Sequence, residues 1–221
     1  MKERIKTIRV FLVTRWFKFN IPGRGIFFMK KLTTRQIALA AGMAAVSAVV
    51  QLIHIGYQSP QFGMWIDIVA VTWIVGIFLF GSRMAFIVSI MGAIMITLFA
   101  PDTWLGASMK WLASFPIWFL LGMWTVKKER AFEYYKKWQK LLIPLLIGIT
   151  VRCLIIIPVN YFYAIPIWTG LSPVKAMTVI PWQMIALFNI IQSFVEVGVA
   201  WILVYKFGLN RFAPETQTKK D

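Results

Sequence analysis

The chain has 221 residues, of which 59% are hydrophobic, and its 24 Lys and Arg residues against 8 Asp and Glu residues give a formal net charge of +16. A soluble domain of this size could not cover so much apolar surface with so few polar side chains. The basic residues lie beside apolar runs instead of forming a soluble face, which argues against nucleic-acid binding and indicates a protein embedded in a lipid bilayer.

The first segment, residues 1–30, mixes basic residues with large apolar ones such as Phe11, Trp16 and Phe27. This composition is typical of an amphipathic segment that lies on an anionic membrane surface. An alternative is that translation starts at Met29 and that the preceding residues are dispensable. We predict an N-terminal extension over 1–30, a transmembrane domain over 31–208 and a cytoplasmic tail over 209–221.

Six apolar runs follow the extension, and each approaches the roughly 20 residues that cross a bilayer. They cover residues 37–55, 64–80, 84–100, 109–126, 141–165 and 181–205. Of the 24 basic residues, 21 fall on the side of the two termini, Lys110 and Lys175 fall on the other side, and Arg152 lies within a run. The positive-inside rule therefore predicts an all-α, six-span protein of the cell membrane with both termini in the cytoplasm.

Two ionisable residues lie near the middle of predicted spans. Arg152 is 11 residues beyond Leu141 in the fifth run, and Glu196 is 10 residues before Lys206 in the sixth. At 1.5 Å per residue, both are about 15 Å from the cytoplasmic edge. Equal depth on consecutive helices predicts an ion pair, which either fixes the packing of the two helices or serves substrate binding or ion coupling.

The sixth run also carries a polar stripe, because Asn189, Gln192, Ser193 and Glu196 recur at helical spacing. In lipid such a stripe must face protein or water, so it indicates either interhelical hydrogen bonding or a binding site. Other polar and aromatic residues collect toward the outer edge, as a planar, heteroatom-rich ligand would require. The predicted substrate-binding residues are Trp65, Asp67, Lys110, Trp111, Asn160, Tyr161, Gln183 and Asn189.

The first run is rich in small side chains, and Ala40, Ala44 and Ala48 fall at i, i+4 and i+8. A ridge of small residues lets another helix approach closely. The partner is either a helix of the same bundle or a second membrane protein.

Sequence motifs of catalysis are missing. The chain has no Gly-x-Ser-x-Gly and no His-Glu-x-x-His motif, and His54 is its only histidine. The single cysteine, Cys153, excludes an intramolecular disulfide. We therefore expect no catalytic residues, no metal site and no cofactor. The sequence also has no phosphate-binding glycine loop, so we expect another subunit to bind ATP.

Four segments, in this order and spacing, resemble the substrate-binding S component of energy-coupling factor (ECF) vitamin transporters, and within it the riboflavin type. They are the basic lead and alanine-rich helix over 31–48, the segment from Trp65-Ile66-Asp67 to Gly81, the Asn160-Tyr161-Phe162 run with Pro166, and the start of the sixth run at Pro181-Trp182-Gln183.

The resemblance implies an outward-opening pocket for a vitamin or related micronutrient, with a riboflavin-like heterocycle as the first candidate. It also implies that Ala40, Ala44 and Ala48 dock a membrane coupling subunit, which joins two ATPase subunits. Gln183 and Ala186 depart from the riboflavin type and leave the substrate open. The alternative is a self-sufficient secondary transporter that uses the Arg152/Glu196 pair, and a membrane enzyme ranks third.

Overall fold

The computed structural model describes residues 34–53, 56–59, 64–99, 103–125 and 131–212. All of them belong to one unit, Leu32–Asp221. The predicted extension over 1–30, His54 and the end of the predicted tail lie outside the described residues.

Helices dominate the described residues. In chain order they are α1 (Thr34–Ile53), α2 (Val71–Phe80), α3 (Ser82–Phe99), α4 (Thr103–Thr125), α5 (Ala131–Tyr135), α6 (Gln139–Val159), α7 (Ile165–Thr169), α8 (Pro173–Val179) and α9 (Trp182–Trp201). The π-helical turns Asn160–Ala164 and Ile202–Lys206 continue α6 and α9, and a short 3-10 helix covers Leu209–Phe212.

A helix occupies each of the six predicted apolar runs, but the helices differ in length. Among the described residues, three helical stretches are long and apolar enough to cross a membrane: Thr34–Ile53, Gln139–Thr169 and Trp182–Lys206. Helix α2 has only ten residues, about 15 Å, because a β-strand over Trp65–Asp67 takes the first part of the predicted run. Gly81 follows the helix with a φ of 86°, and its N–H donates to the Ile77 carbonyl oxygen at 2.9 Å. These apolar helices point to a membrane protein.

The prediction of helix from residue 64 onward is wrong for the first residues of that run. A β-hairpin forms instead, in which β1 (Gly56–Gln58) pairs antiparallel with β2 (Trp65–Asp67) and Tyr57 lies opposite Ile66. A β-carbon at position 56 would collide with the Ile66 carbonyl oxygen, so glycine permits the close pairing. Aromatic and β-branched residues suit such a pair, which hydropathy alone cannot distinguish from helix.

The core lies around α2, whose largest side chains, Trp73, Ile74, Ile77 and Phe78, are fully buried. Helix α3 packs against α1, α2 and α4, while α6 packs against α4 and α9. Helix α9 also contacts α2 and β2. The hairpin is therefore held beside α9, over the region where α4, α6 and α9 meet.

Candidate functional site

A cavity of about 440 Å³ lies between β2, α4, α6 and α9. Its aromatic and apolar lining includes Trp65, Trp168, Phe188, Met64, Met109, Ile156, Ile180 and Ile185. Its polar lining is Gln51, Gln58, Asp67, Lys110, Arg152, Asn160, Thr169, Asn189 and Gln192. Apolar walls with a limited set of polar groups are typical of small-molecule sites.

Four charged side chains form a continuous network at this cavity. Lys110 Nζ lies 2.6 Å from Asp67 Oδ1 and 2.9 Å from Glu196 Oε1. Arg152 Nη1 lies 3.1 Å from the other oxygen of the same carboxylate, Glu196 Oε2. The two acids and two bases balance, which allows all four to be charged in an apolar bundle.

Exposure divides this network into two layers. The Glu196 side chain is 0% exposed, whereas the side chains of Lys110 and Asp67 are 13% and 12% exposed. Glu196 is therefore covered by its two cationic partners, and the other three charged residues line the cavity.

Amide side chains orient the charges. Gln192 Oε1 accepts the Asp67 backbone N–H at 2.9 Å, and Gln192 Nε2 donates to the Asp67 carbonyl oxygen and to Glu196 Oε1, both at 2.8 Å. Arg152 Nε donates to Asn189 Oδ1 at 2.8 Å. Gln192 thus ties β2 to α9, and Asn189 fixes the guanidinium plane of Arg152.

The backbone of α6 changes where it reaches the cavity. Residues Asn160–Ala164 form a π-helical turn between Pro158 and Pro166. Proline has no backbone N–H, so it interrupts the regular hydrogen-bond ladder on each side of this turn. Asn160, the first residue of the turn, lines the cavity, and π-helical turns occur frequently at functional sites.

Five of the predicted substrate-binding residues line the cavity: Trp65, Asp67, Lys110, Asn160 and Asn189. The structure also brings Arg152 and Glu196 into contact, at the 3.1 Å given above. The remaining three predicted binding residues lie elsewhere.

Helix phase explains why Trp111 and Tyr161 are outside the cavity. Each follows a lining residue directly, and successive helical residues are about 100° apart around the axis. Trp111 Nε1 donates to Ser89 Oγ at 3.2 Å, toward α3. The Tyr161 hydroxyl donates to the Ile180 carbonyl oxygen at 2.6 Å, so this buried ring positions the segment before α9.

Gln183 is exposed and does not line the cavity. The face of α9 that meets the cavity is Ile185, Phe188, Asn189 and Gln192. Gln183 is two residues before Ile185, about 200° away around the helix, so it points in another direction.

Several lining residues were not predicted as binding residues. Gln192 belongs to the polar stripe of the sixth run, but such a stripe is equally typical of helix packing. Trp168 belongs to the polar and aromatic residues near the outer edge, but tryptophan there is equally typical of interfacial anchoring. Gln51, Gln58, Met109 and Phe188 had no sequence signal, because only the approach of α1, the hairpin and α4 to α9 places them at the cavity.

The small-residue ridge of α1 faces the interior of the bundle. Ala40, Ala44 and Ala48 are 1%, 1% and 5% exposed, because this face of α1 packs into the bundle. In this conformation they are not available to a second protein. A neighbouring pair with the same i, i+4 spacing, Ala41 and Ala45, is exposed instead.

The fold is similar to a solved structure. That structure is the S component of a bacterial ECF transporter, which superposes with a TM-score of 0.60 at 21% sequence identity and covers 80% of this chain and 97% of that chain. No protein-family model and no curated protein matches the sequence. At this identity the similarity shows a shared fold.

Proposed function

We propose that this chain is the substrate-binding S component of an ECF importer, which captures a small vitamin-like molecule from outside the cell. The proposal rests on one observation above all: a polar and aromatic cavity lies inside a bundle with the fold of an S component. The charge bias of the sequence supports an orientation with both termini in the cytoplasm.

The cavity suits a compact ligand with a ring. Its volume of about 440 Å³ falls within the range of roughly 300–1,000 Å³ that is usual for small-molecule sites. Trp65, Trp168 and Phe188 supply aromatic surface, while Asn160 and Asn189 supply amide groups. A riboflavin-like heterocycle remains the first candidate within this class.

Ligand capture is tested on the protein purified in detergent. We expect native mass spectrometry to detect a small copurified heterocycle, and we expect titration with a vitamin panel to give dissociation constants in the nanomolar to micromolar range. A purified, folded protein that carries no small molecule and binds no member of the panel would contradict the proposal.

Transport in this proposal requires a membrane coupling subunit and two ATPase subunits. The exposed small-residue face of α1 favours contact with the coupling subunit, since Ala41 and Ala45 are exposed and nothing lies within 4 Å of a β-carbon built at Gly42. We expect Ala41→Leu with Ala45→Leu to abolish uptake in cells that contain the coupling module and to leave ligand binding unchanged. Equal losses of binding and uptake would show that this face is not the docking surface.

A second candidate is a self-sufficient secondary transporter that couples uptake to an ion gradient through Arg152 and Glu196. The buried charge network favours it, because ionisable groups inside membranes often serve ion translocation. Proteoliposomes that contain only this chain distinguish the two candidates. Uptake driven by an ion gradient without ATPases supports the secondary transporter, whereas retention of bound ligand without uptake supports the S component.

A further inference from the structure

The charge network presents two cationic side chains and one anionic side chain to the cavity. Glu196 uses both of its oxygens internally: Oε1 accepts from Lys110, Gln192 and Ser114, and Oε2 accepts from Arg152. Because Glu196 is also 0% exposed, it cannot contact a ligand. The charges that a ligand meets are those of Arg152, Lys110 and Asp67.

Arg152 keeps donor capacity that the protein does not use. Its Nε bonds to Asn189, and its Nη1 contacts Ser193 and Glu196. Its Nη2 has no hydrogen-bond partner among the described residues, and in that part of the chain the only side-chain nitrogen or oxygen that is both buried and unpartnered is Trp118 Nε1. Arg152 Nη2 therefore faces the cavity, which Arg152 lines.

Asp67 has the complementary free group. Its Oδ1 accepts from Lys110 at 2.6 Å and from the Val69 backbone N–H at 2.9 Å. Its Oδ2 makes no hydrogen bond to the described residues, and it is not among their buried unpartnered atoms. The cavity wall thus offers a guanidinium donor on α6 and a carboxylate acceptor on β2.

We propose that the ligand is a ring compound with an anionic group, such as a carboxylate, that binds Arg152 Nη2, and with an N–H donor that binds Asp67 Oδ2. This inference rests on the proposed function and specifies its substrate class. An anion gains charge-assisted hydrogen bonds from Arg152, with Lys110 adjacent through Glu196. A neutral amide or alcohol in the same place gives the guanidinium no anionic partner on its cavity side, so it gains less binding free energy than an anion.

The test uses the full-length protein in detergent with matched acid and neutral probes that each contain a ring and an N–H donor: biotin and biotinamide, and orotate and orotamide. Binding is measured by calorimetry, and copurified ligand is identified by mass spectrometry. We expect at least one acid to bind about tenfold to a hundredfold more tightly than its neutral partner. The copurified compound should carry both an acidic group and an N–H group.

A charge-balanced variant tests the role of Arg152. Arg152→Gln with Glu196→Gln removes one cation and one anion together, so no buried charge is left unpaired. We expect its acid preference to fall to within about threefold, with an unfolding transition still present. Arg152→Lys serves as a second variant, which retains the cation but lacks Nη2, and should lose at least about threefold of the preference.

The outcomes separate this inference from the proposed function. Tight binding of neutral ligands with no acid preference, or an acid preference that both variants retain, overturns the inference and leaves an S component intact. A wild-type protein that binds no probe and carries no copurified molecule overturns both. An acid preference that falls in the variants supports both.

Discussion

Removing both charges of the buried Arg152–Glu196 pair is expected to cost less free energy of unfolding than the sum of the two single substitutions. Glu196→Gln leaves Arg152 without a carboxylate and Lys110 with Asp67 alone, so the free energy of unfolding should fall by about 4 kcal/mol. Arg152→Gln leaves Glu196 with Lys110 and should cost about 3 kcal/mol. The double variant places two neutral amides in contact and should cost about 4–5 kcal/mol in total, so the two sites couple by about 2–3 kcal/mol.

The assay is equilibrium unfolding in mixed micelles with an increasing fraction of sodium dodecyl sulfate, followed by far-UV circular dichroism. Ser89→Ala is the control, because its hydroxyl bonds Trp111 and does not contact the network. Combined with Glu196→Gln, it should be additive. If Arg152→Gln and Glu196→Gln are also additive to within about 0.5 kcal/mol, the two residues do not form an energetically coupled pair and the reasoning is refuted.

Three further substitutions test the cavity and the turns. Trp65→Ala should weaken ligand binding about tenfold through lost aromatic contact, whereas Trp104→Ala, an exposed residue that does not line the cavity, should leave calorimetric titrations unchanged. Gly56→Val should disrupt the hairpin and weaken ligand binding at least about tenfold, because its β-carbon would meet the Ile66 carbonyl oxygen; an unaltered dissociation constant would contradict this. Gly81→Ala should lower the free energy of unfolding by about 1 kcal/mol through its φ of 86°, and Gly198→Ala, with open space around the β-carbon, should be neutral or slightly stabilising in the same unfolding assay.

Hydropathy located every main helix of the bundle, because burial in lipid or in a helical core requires long apolar runs. It failed at the hairpin, because the strand Trp65–Asp67 is short, mixes polar and apolar residues and is stabilised by pairing with β1. It also overestimated the length of α2, because the hairpin and the turn after it delay the start of this helix to Val71, whereas the helix ends at Phe80, where the predicted run ends.

Residues of the candidate site were predictable where the charge or polarity of a side chain permits only a few environments inside a membrane. Arg152 and Glu196 could be matched from depth alone, since an ionised group in a span needs a partner. Trp111 and Gln183 could equally face lipid, a neighbouring helix or a ligand, so composition could not choose among these environments. The structure places both away from the cavity.

The sequence by itself determined the apolar helical character, the charge bias and the presence of ionisable groups in the spans, because each depends on residue type and on position along the chain. The tertiary structure decided which face of each helix is used. A shift of one residue turns a side chain by about 100°, so Ala44 is buried in the bundle while Ala45 is exposed. The same geometry decided that Asp67, Lys110, Glu196 and Arg152 form one network, since β2, α4, α9 and α6 meet only in the folded protein.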